Sequence, residues 1–240
     1  MLVGMAVAAA AARETVLGTS PRQWIVWVAA FSGALVLTTL ALFNVYPPGD
    51  VALSRIVQSV QFPGVNVVSE FVYRIGLSPY SLIIALALAL LMAWRGQRLM
   101  VLFVVLAVFA RAWAVLIKEI VERPRPSPLL VDVSEQANGF SFPSSHVLGA
   151  VLMWGLVYVA SEWFITNPQA RRWVRWSSLA IIALMGLQRV YAGAHWPSDV
   201  LGAYLWGGII LFALVKGYEF CGRCLLQGAV NRVPPSGLDL

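Results

Sequence analysis

The chain has 240 residues, 60% of them apolar and only 12% charged, with a mean hydropathy of +0.77. Such values lie outside the range of soluble domains, so the solvent for most of this surface is a bilayer. The formal net charge is +6, but the cations are dispersed over short segments rather than clustered with exposed aromatics on one surface, which argues against nucleic-acid binding.

A helix needs roughly 20 apolar residues to cross a hydrocarbon layer of ~30 Å. Six segments meet that need: 24–43, 77–94, 99–120, 146–163, 173–190 and 199–216. No repeat, low-complexity tract or soluble second domain interrupts them. The predicted fold is therefore all-α, a six-transmembrane-helix bundle forming one integral membrane domain over residues 1–240.

In chain order, residues 1–23 come first. The opening twelve are Ala-rich, too short to span and without the charged n-region of a cleaved signal, so a mobile cytoplasmic tail is expected. After the first span, residues 44–76 read as an external interfacial segment. Asp50 can cap a helix whose Leu53, Ile56, Val57 and Val60 share a face; Pro63-Gly64 breaks it, and Val68, Phe71, Val72 and Ile75 form a second stripe. Either a packing pair over the outer end of the bundle or a lid admitting lipid fits this pattern. Glu70 and Arg74 read as a helix-surface pair. The fifth span is the weakest, apolar only from about Leu179 to Leu187, and it borrows Trp173, Trp176 and Tyr191 as interfacial anchors. Trp24, Trp94, Trp163 and Trp196 also sit near expected boundaries. Residues 217–240 are expected as a cytoplasmic tail. Its Cys221 and Cys224 form one CxxC; zinc would need two more ligands, and both histidines lie across the membrane, so these thiols are read as reduced and uninvolved.

Short cytoplasmic loops carry the excess of Lys and Arg. Arg13, Arg22, Arg95, Arg98, Arg171, Arg172, Arg175, Lys216, Arg223 and Arg232 put ten of the seventeen cations on one side. Both termini are thus expected in the cytoplasm of a multi-pass inner-membrane protein, with the remaining loops outside.

Those outer loops hold the chemistry. The third span ends in Lys118-Glu-Ile-Val-Glu-Arg-Pro-Arg125-Pro126, the fourth begins Phe142-Pro143-Ser144-Ser145-His146, and the fifth leads into Arg189-Val-Tyr-Ala-Gly-Ala-His195-Trp-Pro-Ser-Asp199. The chain has only two histidines, and both fall here beside Ser or Asp, with cations on the same side. His195 and Asp199 are four residues apart with Pro197 suited to a first helical turn, so both are expected on one helical face, the carboxylate fixing the tautomer and freeing the other ring nitrogen to attack phosphorus. Pro143 leaves the amides of Ser144, Ser145 and His146 without helical acceptors, a natural anion site at a helix N-terminus. Lys118, Arg125 and Arg189 supply up to three positive charges for a phosphate dianion, and no carboxylate cluster of metal-ligand type accompanies them.

These three ordered motifs resemble the type 2 phosphatidic acid phosphatase superfamily, which also includes bacterial acid phosphatases, glucose-6-phosphatase and vanadium haloperoxidases. Lys118 with six residues before Arg125-Pro126 matches its first motif, Pro143-Ser144-Ser145-His146 its second, and Arg189 with five residues before His195 and three before Asp199 its third. Two positions differ. Ser145 stands where the family usually has glycine and can offer the same amide, and Gln188 stands where it usually has serine and could donate from a longer arm. The resemblance covers roughly residues 50–215. It implies a phosphohistidine at His195, leaving-group protonation by His146, orientation of His195 by Asp199, and phosphate binding by Lys118, Arg125, Ser144, Ser145 and Arg189. It also implies a lipid phosphate as substrate, membrane lipids as surroundings, and no cofactor, metal, nucleic acid or obligate protein partner. A lipid phosphotransferase would share every step up to the phosphohistidine. A transporter or non-enzymatic bundle would instead place its polar groups near the midplane.

Outside the motifs, Arg111 lies seven positions before Lys118, on the same helical face and about 10 Å deeper, where it could bond to carbonyls, water or a second phosphate. Glu122, Arg123, Asp132 and Glu135 are expected in a solvated loop.

Overall fold

The computed structural model describes residues 21–230, so the N-terminal tail before Pro21 and the last ten residues, including Arg13 and Arg232, lie outside the described residues. Among the described residues the secondary structure is helical throughout: α1 (Pro21–Leu42), α2 (Asp50–Gln58), α3 (Val65–Gly76), α4 (Ser78–Trp94), α5 (Arg98–Ala110), α6 (Ala112–Val121), α7 (Ser145–Phe164), α8 (Pro168–Tyr191) and α9 (Pro197–Val230).

Every expected span falls on a helix, but length and hydropathy qualify only four of them: Trp24–Leu42, Arg98–Val121, Ser145–Phe164 and Pro197–Leu225. The α3–α4 pair, bent by 60°, would make a fifth. α4 alone has only 17 residues, and α8, though 24 residues long, is diluted by Arg171, Arg172, Arg175, Gln188 and Arg189. The third span is α5 and α6 together, interrupted at Arg111.

α7 is the hub, with 67% of its membrane window buried against 11% for α1 at the periphery. It packs between α8 and α9, while α9 also meets α1 and α5. The ring of Phe142 lies where a side chain at Gly202 would project, which clamps the segment before α7 onto α9. α6 stops at Glu122, whose φ of +49° is left-handed, with Pro124 just beyond.

Residues 217–230 continue α9 as far as Val230, so the segment expected to follow the last span is helical, with Cys221 half-buried against the core and Cys224 exposed. One expectation needs correction. Trp196 is not an interfacial anchor; it is 1% exposed and packs edge-on against Tyr46 at 5.5 Å. The segment 44–76 does fold as two helices, and α2 is inside-out. Its buried residues are Asp50 and Ser54, whereas Leu53, Ile56 and Val60 face outward, as a helix does when lipid lies outside and a polar site inside.

Candidate active site

Three chain segments meet at one end of the bundle. α8 ends at Tyr191, and the turn that follows places His195 just ahead of α9. Gly193 makes the turn possible: its φ is +66°, and the carbonyl of Asp132 occupies the space a Cβ would need. The amides of Ala194 and His195 both donate to the Arg189 carbonyl, at 3.1 and 3.2 Å. His195 therefore precedes the helix that carries Asp199, rather than sharing its face.

The carboxylate of Asp199 is fully buried. It accepts from the Trp196 amide at 2.9 Å, capping its own helix from the third position, and from Arg123 Nη1 and the Ser141 hydroxyl. His195 Nδ1 lies 3.7 Å from Asp199 Oδ2 and 3.4 Å from Ser141 Oγ. The carboxylate thus acts on the ring chiefly through Ser141, which hydrogen-bonds both. On the other side of the ring, Nε2 stands 3.3 Å from Arg125 Nη1. A guanidinium can only donate. Nε2 is then the acceptor, the ring proton belongs on Nδ1 toward Ser141, and the nitrogen facing the cations carries the lone pair. Burial pushes the imidazole down to about 4; Asp199 opposes the fall, and Lys118 and Arg125 add to it.

The three cations converge on one loop. Lys118 Nζ donates to the carbonyls of Phe140 (2.6 Å) and Ser141 (3.1 Å). Arg125 donates to those of Gly139 (2.9 Å), Asn138 (2.8 Å) and Ala194 (2.7 Å). Arg189 is 1% exposed; its terminal nitrogens fork onto Glu135 at 3.0 and 2.8 Å, its Nε meets Gln188 Oε1 at 2.6 Å, and its plane lies 4.7 Å from the Tyr73 ring centre. Gln188 also donates to Ser69 at 3.3 Å, so it steadies Arg189 against α3 instead of reaching out on its own.

His146 sits half-buried in the first turn of α7, 5.9 Å from the same Tyr73 ring, with Gly76 leaving room for its edge. Ser144 occupies the position just before α7 without a side-chain cap bond. Its amide is taken by the Asp199 carbonyl at 3.3 Å, which corrects the expectation that all three amides here are open, while its buried hydroxyl has no partner among the described residues. Ser145 opens the helix, half-buried. Arg111 leans on Gly149, one turn below His146, and donates to Ser81 at 2.7 Å.

The solvated-loop expectation holds for Glu122 and Asp132, which are exposed, and fails for Arg123 and Glu135. Arg123 is 1% exposed and ties Asp199 to Asp50 (2.9 Å) and Ser198 (2.7 Å). Asp50 caps α9 across the fold, accepting from the Ser198 amide at 2.9 Å and its hydroxyl at 2.6 Å. A buried cation between two carboxylates fixes the outer helix α2, the first motif and the third motif in one frame. A sequence hint exists for Arg123: in a chain with 12% charged residues, five of the eight residues from Lys118 to Arg125 are charged.

Between α2, α3 and the end of α8 an apolar groove of about 190 Å³, lined by Val57, Val60, Val68, Val72, Leu187 and Tyr191, runs to Gln188. Among the described residues no three His, Cys, Asp or Glu side chains gather as metal ligands.

Comparison with known proteins identifies the family. Residues 97–223 match the PAP2 superfamily, and that stretch holds all three motifs. Phosphatidylglycerophosphatase B of Bacillus subtilis (strain 168) is 28% identical over 200 residues, covering 80% of this chain and 94% of its own. The crystal structure described as the first transmembrane PAP2 type phosphatidylglycerolphosphate phosphatase from Bacillus subtilis superposes with a TM-score of 0.65 at 26% identity, over 81% of this chain and 96% of that one. With the match spanning more than half its length, the chain belongs to the PAP2 superfamily, as a membrane phosphatase of that type.

Proposed function

We propose that the protein removes the terminal phosphate from a lipid phosphate, of the phosphatidylglycerophosphate kind, through a phosphohistidine on His195. The observation that carries this reading is the pair of environments around that ring: Nδ1 turned to Ser141 and Asp199, Nε2 turned to Arg125. A dianion held by Lys118, Arg125 and Arg189, the Ser144 hydroxyl and the first amides of α7 places phosphorus before Nε2. The Nε2–P bond forms as the P–O bond to the lipid breaks, and His146 gives its proton to the departing alkoxide. Water, giving a proton to the now-neutral His146, then attacks the phosphohistidine; the N–P bond breaks, phosphate leaves, Nε2 recovers its lone pair and His146 its proton. Glu135, which holds the fork of Arg189, yields it to phosphate. The apolar groove beside Gln188 favours a lipid over a soluble phosphate ester, because it offers a chain-sized apolar wall next to the anion site.

The cations neutralise the charge a metal would otherwise cover, so phosphate release should persist in excess EDTA. The test is phosphate release by purified protein, in chelator, from phosphatidylglycerophosphate, phosphatidate, undecaprenyl diphosphate and lipid A phosphate. Activity lost to chelator and restored by magnesium overturns the mechanism. The positive-inside count supports an external site: a cysteine at exposed Ser134 should then label from outside intact cells and one at exposed Gln169 should not.

A further inference from the structure

α8 carries a second basic cluster at its other end. Arg171, Arg172 and Arg175 fall near its start, and Trp176 and Leu179 continue the same side of the helix. The helical rise puts Arg171 roughly 27 Å from Arg189 along the axis. This end therefore lies across the bundle from His195. Here the arginines border a cleft of about 340 Å³ with Tyr158, Trp176 and Leu179.

Charge in the cleft is unbalanced. Glu162 of α7 accepts from Arg171 at 3.0 Å and from Arg175 at 3.1 Å, and Arg175 also reaches the Tyr158 hydroxyl and lies over that ring at 4.3 Å. Arg172 is exposed and has no acceptor among the described residues. Three guanidiniums against this carboxylate leave a surplus of positive charge. The first amides of α8 do not add to it, because Asn167 Oδ1 already accepts from Gln169 and Ala170 at 2.9 and 3.1 Å. The arginines form the upper wall; below them Trp176 and Leu179 are 65% and 43% exposed and turn apolar surface outward. A small inorganic anion would use only the upper half of such a cleft. A phosphodiester with acyl chains uses both, its oxygens on the guanidinium forks and its chains along Trp176 and Leu179.

We infer that the cleft between α7 and α8 binds an anionic phospholipid headgroup, at the end of the bundle opposite the phosphatase site. The test uses the purified full chain in zwitterionic micelles, with native mass spectrometry counting retained phosphatidylserine or phosphatidylcholine. Phosphatidylserine should be retained in preference. Arg172→Gln should weaken its retention about fivefold, and adding Arg175→Gln should weaken it further by a similar factor. Glu162→Gln should tighten it by freeing Arg171 and Arg175, an increase that a misfolded variant could not produce. Undiminished phosphate release by Arg172→Gln in the same micelles identifies a folded protein whose altered retention reports the cleft. Equal retention of the two lipids, displacement of phosphatidylserine by millimolar inorganic phosphate, or weaker retention in Glu162→Gln would overturn the inference.

Discussion

α8 carries arginines near both ends, and those two ends are built in opposite ways. Arg189 is 1% exposed, with acceptors on Nε and both terminal nitrogens and an aromatic ring beneath its plane. Arg171 and Arg175 keep 24% and 37% of their side chains exposed and share Glu162. A buried guanidinium is costly unless acceptors meet it, whereas an exposed one costs and gains little. Acceptor density, not the number of cations, separates the catalytic end from the far end: Asp50, Asp199, Glu135, Ser141, Ser198 and the carbonyls of residues 138–141 all gather at the former.

The largest effect that tests this contrast is loss of the proposed nucleophile. His195→Ala should abolish phosphoenzyme formation and lower kcat by at least about 10⁴-fold, while Arg172→Ala at the far end should leave turnover intact. His146→Ala should cost about 10²- to 10⁴-fold with lipid substrate and be partly rescued by a nitrophenyl phosphate, whose leaving group needs no proton. Trapping the acid-labile phosphohistidine with labelled substrate separates the two roles. Label persisting in His195→Ala would assign the nucleophile elsewhere.

Next in size is the cost of breaking the buried frame. Removing Arg123 strands Asp50 and Asp199 without their common cation, a change that typically costs roughly 3–5 kcal/mol. Arg123→Met should lower the thermal unfolding midpoint sharply, and adding Asp50→Asn should restore part of the loss by removing one stranded charge. Arg172→Met should shift stability by no more than about 0.5 kcal/mol. Equal shifts for the two arginines would erase the distinction between the ends of α8.

The pH profile sharpens the catalytic side. In the proposed mechanism His195 must be neutral to attack, and burial holds its imidazole down at about 4. Protonation removes the lone pair, so kcat/KM, which reports the free enzyme, should fall as pH drops through about 4 and not through the ordinary histidine value of 6.5. Asp199 opposes the depression, so Asp199→Asn should move this acid limb to still lower pH while reducing the rate. A limb fixed near pH ~6 and unmoved by Asp199→Asn would belong to the second ionisation of the phosphate.

Much of the candidate site was legible because chemistry that needs particular side chains at fixed spacing leaves a pattern in sequence. His146, His195, Asp199, Lys118, Arg125, Ser144, Ser145 and Arg189 could all be named that way, and the apolar segments located every long helix. What escaped was set by burial. Arg123 reads like its exposed neighbour Glu122, and only the fold turns one inward to Asp50 and the other out. Ser141 interposes between His195 and Asp199 because the loop before α7 is folded back, so no spacing rule could anticipate it. The outward apolar face of α2 is a related case: periodicity finds the stripe, but cannot tell a core from a lipid on the far side of it. For α9 the apolar run ends near Lys216 while the helix continues, since a helix may leave the hydrocarbon without unwinding.

The smallest effect concerns Glu135, the carboxylate held against Arg189, one of the two cations buried to 1% at this end. Its two oxygens occupy the end-on fork of Arg189, the geometry a phosphate would use, and its side chain is 24% exposed where Arg189 is 1% exposed. Approach to that fork therefore passes through Glu135, and an arriving dianion meets both a competitor for the guanidinium and a like charge. Glu135→Gln keeps the size and one acceptor but removes the charge. A partly exposed pair of this kind is worth up to about 1 kcal/mol, so inhibition by inorganic phosphate should strengthen by roughly fivefold at most, with KM falling and kcat little changed. Arg189→Ala should weaken phosphate inhibition and make the Glu135→Gln change silent on top of it. If Glu135→Gln weakens phosphate binding instead, the carboxylate is holding Arg189 in place for the substrate and not standing in for it.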